Sequence, residues 1–406
     1  MRIGMVTACY KPVMNGVTRM VALYKEAMET AGHDVTVFTL GDPDPLGEEP
    51  GVVRTPGIAL GDTGYYLSFR YTNEAQERLR QMDIVHCHHL FMSVEMAHRY
   101  GNCPIVYTNH TRYDLYTGAY SPLPQPTADA IMRQVWPEFT SYCDVIITPS
   151  ASVRDVMRSF GVTQRVEIIP NGIDLQPFSD PPQPCQRQEF GIPLDGTLLI
   201  YTGRIAAEKG LDRLLAQFAL AREIVPDLYL LLVGKGPYTP KLRQQATQLG
   251  LDDAIKFAGA LPHEQVGNVL AMGDVYVTAS ITEVHPLGVI EAMAAGLPIA
   301  AVASPGISDT VSHGHHGQLI SRPDGLAAAI VALATSPDAR RRMGAAASEA
   351  SKQYDIKGTV AQTLELYEEL RQTRPDLKRQ RRHGRGIRPT ARPFLEQLAT
   401  LLRPPD

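Results

Sequence analysis

One feature limits what this chain can fold into more than any other. Short apolar runs alternate with helix-patterned stretches, and the series occurs twice. In the first half RIGMVTACY (2–10), DVTVFTLG, DIVHCHH, CPIVYTNH and CDVIITPS are brief and largely apolar, as buried strands should be. Between the first two, TRMVALYKEAMETAG carries apolar residues at helical spacing and stops at Gly32. The turn-rich IIPNGIDLQPF (168–178) and the proline-rich SDPPQPCQRQ break the rhythm and read as a linker between domains. The series restarts with TLLIYTG, a helix over about 210–224, LYLLLVGKGP, a second helix, IKFAG, DVYVTAS, a further helix and PIAAVAS. Alternation of this kind predicts parallel sheets covered by helices. A chain of 406 residues exceeds what one core usually organises, so two α/β domains are expected, over 1–175 and 190–356.

Beyond them, KGTVAQTLELYEEL places Val360, Leu364, Tyr367 and Leu370 on one face of a helix over about 357–372. We expect that helix to pack back on the first domain. A basic tail over 373–406 follows, and Arg371 to Arg392 holds nine Arg or Lys residues against one acidic residue, Asp376. Beside it PFLEQLATLL (393–402) offers an apolar patch, so the tail reads either as a contact to an anionic membrane surface or as a solubilising segment.

A net charge of -4 argues against a general nucleic-acid binder. The five cysteines are scattered and free of CxxC pairs, which fits reduced thiols in the cytoplasm. No stretch has the apolar length of a spanning helix and MRIGMVTACYKP lacks the core of a signal peptide. A soluble, cytoplasmic body is expected.

Two constellations carry chemistry. In SITEVHPLGVIEAMAAG (280–296), Pro286 suits the first turn of a helix and Gly296 its end. Glu283 then lies in the preceding loop and Glu291 about one and a half turns in. The free amides and partial positive charge of a helix N-terminus suit phosphate, and the two carboxylates suit ligand hydroxyls. The same glutamates also fit a helix cap and a solvated surface residue. In TGRIAAEKG (202–210), Arg204 and Lys209 fall in the loop after a strand, where open α/β sheets bind ligands. A guanidinium fork and a compact ammonium together can neutralise a diphosphate without a metal. LLVGKGP (231–237) adds a glycine-rich strand exit. In HCHH (86–89) successive side chains alternate faces, so the set does not converge on one ion, and no metal site is expected.

With these motifs the chain resembles the retaining glycosyltransferases of family 4, which have the GT-B fold: two Rossmann-like parallel-sheet domains with a cleft between them. The match comprises the E-x7-E pair Glu283 and Glu291, AMAAGLP after it, Gly203-Arg204 with Lys209-Gly210, VGKGP and PNGID (170–174). In the first half it comprises the Asn15-Gly16 loop and His110 of TNHTRYDLY. The resemblance runs from residue 1 to about 370. It implies that Arg204 and Lys209 bind the donor diphosphate, Glu283 the transferred sugar and Glu291 the ribose. Gly16 would admit the donor phosphate closely, and His110 would stand by the donor sugar. Many relatives have Gly-Phe-Gly after the first glutamate where this chain has Val284-His285-Pro286, and proline has no N–H to offer. Donor contacts are therefore assigned to the amides of His285, Leu287 and Gly288.

HTRYDLY and TEVHPL look most like the lipid-glycosylating branch, such as diacylglycerol glucosyltransferases and phosphatidylinositol mannosyltransferases. That implies a hexose moved from a UDP-glucose or GDP-mannose type donor to a membrane lipid, with no cofactor, at the inner face of the cell membrane. Asn15, His88, His89 and Tyr113 are the candidates on the acceptor side. The stretch 127–142 with Trp136 reads either as a membrane-surface helix or as a packing helix. A water-soluble acceptor and a non-catalytic sugar-nucleotide binder are the alternatives. A dinucleotide oxidoreductase is excluded, because CYKPVMNGVTR is not GxGxxG.

Overall fold

The computed structural model describes residues 1–44, 47–60, 64–68, 70–115 and 124–373. The basic tail and PFLEQLATLL therefore lie outside the described residues, past Thr373. The chain divides into two units, one of Met1–Gly172 with the chain from Ile356, the other of Ile173–Asp355.

In the first unit β1 (Arg2–Val6), β2 (Asp34–Leu40), β3 (Val52–Thr55), β6 (Ile84–Cys87), β7 (Ile105–Thr108), β8 (Val145–Thr148) and β9 (Val166–Ile168) form one sheet. Their order is β3-β2-β1-β6-β7-β8-β9 and every pairing is parallel. A small antiparallel pair, β4 (Ile58–Ala59) and β5 (Tyr66–Leu67), stands apart. Strand order reverses between β1 and β6, which opens a crevice at their carboxyl ends, the place where such sheets take ligands. Helix α1 (Gly16–Thr30) follows β1, and its N-cap Asn15 accepts from the Thr18 amide at 3.0 Å. Helix α2 (Gln125–Thr140) precedes β8 and buries Met132, Val135, Trp136 and Phe139.

The last described helix, α5 (Ile356–Thr373), belongs to this unit. Its buried face is Ile356, Thr359, Val360, Thr363, Leu366, Tyr367 and Leu370. Leu364, expected on that face, is only half-buried, and two threonines and Leu366 take the space. Thr359 and Thr363 satisfy their hydroxyls on the carbonyls of Ile356 and Thr359, so they are buried without leaving an unpaired polar group. A Cβ on Gly172 would lie 2.2 Å from Thr359 Oγ1 and 2.7 Å from the Ile356 Cα. Glycine is what lets the chain leave the unit beside the point where it returns.

The second unit holds β10 (Thr197–Thr202), β11 (Leu228–Val233), β12 (Ile255–Gly259), β13 (Val275–Thr278), β14 (Ile299–Val302) and β15 (Gly317–Ile320). They are parallel in the order β12-β11-β10-β13-β14-β15, so the reversal falls between β10 and β13. Period-two alternation sorts the strand residues between two cores. Leu199, Tyr201, Leu230, Leu232, Val275 and Val277 pack with Leu211, Leu214, Leu215 and Phe218 of α3 (Leu211–Ile224). Leu198, Ile200, Leu231, Val233, Tyr276 and Ile299 pack with Val289, Ile290 and Met293 of α4 (Leu287–Ala294). Cores on both faces explain why these strands read as unbroken apolar runs.

Candidate active site

In the second unit the polar groups gather where β10 and β13 end. Gly203 has φ 145, and a Cβ on Gly234 would fall 1.9 Å from the Gly203 carbonyl oxygen. A Cβ on Gly236 would fall 2.0 Å from the Ile205 carbonyl oxygen. The glycines of VGKGP thus serve close packing of two strand exits. Lys209 ends a short turn, Ala207–Lys209, and Gly210 follows with φ 63 before α3. That left-handed residue seats the turn against β13's exit, its Cβ position 3.0 Å from the Ala279 carbonyl oxygen.

The packing brings Lys209 Nζ to 2.7 Å from Glu283 Oε1, both side chains less than a fifth exposed. Burial alone would push the Glu283 carboxyl up, but the Lys209 charge and its hydrogen bond hold it below the usual carboxylate range. Arg204, half-exposed, pairs with Glu208, and its carbonyl accepts from Tyr201 Oη at 3.1 Å. The site therefore presents two cations and two carboxylates already cross-linked.

Helix α4 starts at Leu287 with Pro286 at its N-cap. The Pro286 carbonyl takes the amides of Val289 and Ile290, at 2.9 and 3.1 Å. The Leu287 and Gly288 amides have no backbone partner among the described residues. Gly288 rests on β10 and β13, its Cβ position 2.8 Å from Tyr276 Oη. Glu291 is buried, which excludes the solvated-surface reading. His285 is buried too, its ring edge-on to Tyr354 at 5.1 Å, and burial lowers its pKa to about 4. The loop is pressed from the other side by Gly306, where a Cβ would come within 2.3 Å of the Glu283 carbonyl oxygen.

In the first unit the candidates gather where β1 and β6 end. Gly16 opens α1, and a Cβ there would meet nothing within 4 Å. Asn15, expected on the acceptor side, has both ends of its carboxamide engaged: Oδ1 caps α1 and Nδ2 donates to Cys9 Sγ at 3.4 Å. His89 Nδ1 lies 3.1 Å from the Ala8 amide, which donates to it, and so ties the two strand ends together. His88 is buried, and its Nδ1 is 3.1 Å from Nε2 of part-exposed His110. His86, absent from the expected site, packs against His88 at a tilt of 33°, with centroids 4.2 Å apart. His86 Nε2 is 2.6 Å from Thr108 Oγ1, and its Nδ1 meets Tyr367 Oη of α5. Burial lowers the pKa of His86 and His110 to about 3 and of His89 to about 4, so the imidazoles are neutral.

Tyr113 packs edge-on against Phe91 and Trp136, with centroids 5.8 and 5.4 Å away. Trp136 is fully buried, so α2 is a packing helix and does not present its indole to a membrane. Among the described residues no group of His, Cys, Asp or Glu is arranged to hold a metal ion. No described helix is long and apolar enough to cross a membrane.

Glu208, Gly306, His86 and Tyr367 were not among the expected site residues, although Tyr367 was expected on the buried face of α5. Gly306 and Tyr367 act on residues far away in the chain, Glu283 and His86, whereas Glu208 lies four residues from its partner Arg204 and His86 two from His88, local spacings that could have signalled them.

Two parallel-sheet units, each with its polar groups at a switch point, place the chain in the GT-B class. Residues 182–350 match the model for glycosyl transferases group 1, and residues 14–177 match that for glycosyltransferase family 4. An alpha-monoglucosyldiacylglycerol synthase of Streptococcus pneumoniae is 29% identical over 83% of this chain and 79% of its own length. A D-inositol 3-phosphate glycosyltransferase of Xylanimonas cellulosilytica is 27% identical over 72% of this chain and 73% of its own. The solved structure of Anabaena HepE in complex with UDP and glucose shares the fold, with TM-score 0.74 and 19% identity over 91% of this chain and 100% of that one. The chain belongs to the family 4 glycosyltransferases and is a nucleotide-sugar-dependent hexosyltransferase.

Proposed function

We propose that the protein transfers a hexose, with retention at the anomeric carbon, from a UDP- or GDP-hexose to a membrane lipid such as diacylglycerol. The Lys209–Glu283 pair at the β10/β13 switch point carries the reading of the donor site. A cation held by a carboxylate has its position set before the donor arrives. Lys209 and Arg204 then face the charge that builds on the departing diphosphate, and the free Leu287 and Gly288 amides add donors at a helix N-terminus. With two cations supplied by the protein, no metal is needed for charge neutralisation. Glu283 takes the hydroxyls of the transferred sugar and buried Glu291 those of the ribose. His110 and Gly16 keep the roles the resemblance gives them, beside the donor sugar and its phosphate. None of these residues is placed as a covalent nucleophile, which supports a same-face displacement.

The lipid acceptor rests on the similarity to the diacylglycerol-glycosylating relative, and with it a peripheral position at the inner face of the cell membrane. The similarity to the inositol phosphate glycosyltransferase favours a second reading, a water-soluble acceptor. A donor-by-acceptor screen with chelator present separates them. Purified protein meets labelled UDP- and GDP-hexoses with diacylglycerol vesicles, phosphatidylinositol vesicles or soluble sugars and metabolites. Label in the organic phase is the expected result and names the donor. Label only in water-soluble product replaces the lipid reading with the second. Loss of transfer in chelator, restored by a divalent cation, overturns the metal-free mechanism.

A further inference from the structure

We propose that His88 is a positioning residue that fixes the tautomer of His110, so that His110 presents Nδ1–H to the substrate. The inference rests on the glycosyl-transfer reading above and moves His88 from the acceptor side to a place behind His110. Four observations carry it. His88 is buried, and its Nδ1 stands 3.1 Å from His110 Nε2. Its Nε2 is buried and has no hydrogen-bond partner. The ring is enclosed by His86, centroids 4.2 Å apart, and by the edge of Tyr24 at 6.5 Å. His110 is part-exposed, and no hydrogen bond to its Nδ1 occurs among the described residues.

A neutral imidazole has one N–H and one lone pair. If the His88 proton sat on Nε2, a buried N–H would be left unpaired, and orphaned donors are rarer and less tolerable than orphaned acceptors. With the proton on Nδ1, His88 donates to His110 Nε2 and every buried N–H of the pair is satisfied. His110 Nε2 is then the acceptor, and its proton must be on Nδ1, the nitrogen on the open side. The His88 and His110 planes lie within 15° of each other, with centroids 5.4 Å apart and the two nitrogens at 3.1 Å. His110 thereby becomes a fixed donor toward a sugar oxygen, with no need to choose between tautomers in each turnover.

The test is nitrogen NMR of the full chain labelled in its histidine rings, with His110 assigned by its loss in His110→Ala. The expected spectrum shows Nδ1 of His110 protonated and Nε2 bare, and His88→Phe releases it to the Nε2–H form. The same substitution should lower kcat ~10- to 100-fold, the range for groups that orient an active residue from behind, with donor KM changed less than ~3-fold. His88→Asn, whose amide can donate from near the Nδ1 position, should recover most of that loss. Nε2–H on His110 in the unsubstituted protein overturns the proposal, whatever His88→Phe does. So does a His88→Phe variant with unchanged kcat. If the unsubstituted protein transfers no sugar, the function reading fails while the tautomer spectrum still decides the geometry.

Discussion

The two units use one topology to make opposite electrostatic environments. Each has a parallel sheet whose strand order reverses once, and each puts its polar side chains at that reversal. In the second unit the reversal holds charge, Lys209 on Glu283 and Arg204 on Glu208. In the first it holds neutral rings, His86, His88 and His110 in a row with His89 beside them. A sheet crevice therefore does not dictate its chemistry. Fixed charge suits a diphosphate whose charge grows during transfer, whereas neutral donors and acceptors suit sugar hydroxyls, which carry no net charge.

Acidification should separate the two units most. An unfolded histidine binds its proton near pH 6.5, whereas burial holds His86 and His110 to about 3 and His89 to about 4. Between those values the unfolded chain carries more protons, so stability falls as pH drops, by ~1.4 kcal/mol per pH unit for each histidine. In the second unit burial lowers His285 to about 4, and Glu283 begins to lose its contribution below about 4.5. Amide exchange in β6 and β7 should accelerate before that in β10 and β13 as pH falls from 6.5 to 4.5. The reverse order would mean that the first unit's rings are not neutral by burial.

The charged pair gives the next largest effect. Lys209→Ala and Glu283→Ala should each lower kcat ~100-fold or more, as expected for removing a preset charge from a reacting centre. The double variant should fall well short of the product, because each single change already breaks the same pair. Full additivity of the two losses would show that the residues act separately. A smaller change tests the backing of the loop. Gly306→Ala forces a Cβ toward the Glu283 carbonyl oxygen, 2.3 Å away, and should destabilise by ~1–3 kcal/mol and raise donor KM. An unshifted Tm with unshifted KM would break that assignment. At the bottom of the scale, anionic vesicles should leave the emission of the single tryptophan, Trp136, where it is, because the indole is fully buried. A vesicle-dependent shift would reopen α2 as a membrane element.

Much of the fold was legible because parallel strands buried on both faces leave unbroken apolar runs, as LYLLLV does. The start of α4 was legible from Pro286 and its stop from Gly296. The α5 face was read with one substitution, Leu364 for Leu366. Hydrophobicity alone does not reveal that Thr359 and Thr363 can be buried by bonding to their own helix. In the candidate site the residue types were legible and their partners were not. Lys209 and Glu283 lie 74 residues apart and meet only because β10 and β13 are neighbours. Trp136 carried two readings, and nothing local in α2 distinguishes a buried indole from a surface one.

The return of α5 to the first unit bears on how the protein is made. Tyr367 emerges from the ribosome 281 residues after His86, its hydrogen-bond partner. Synthesis of the second unit, Ile173–Asp355, comes in between. Through that interval the first unit waits without the helix that packs on α1 and with His86 Nδ1 short of its Tyr367 partner, while the second can close its own cores as soon as its last residue is free. The nascent chain thus finishes its inner segment before its outer one. A fragment ending at Gly172 would resemble that waiting state, the buried face of α5 absent from it.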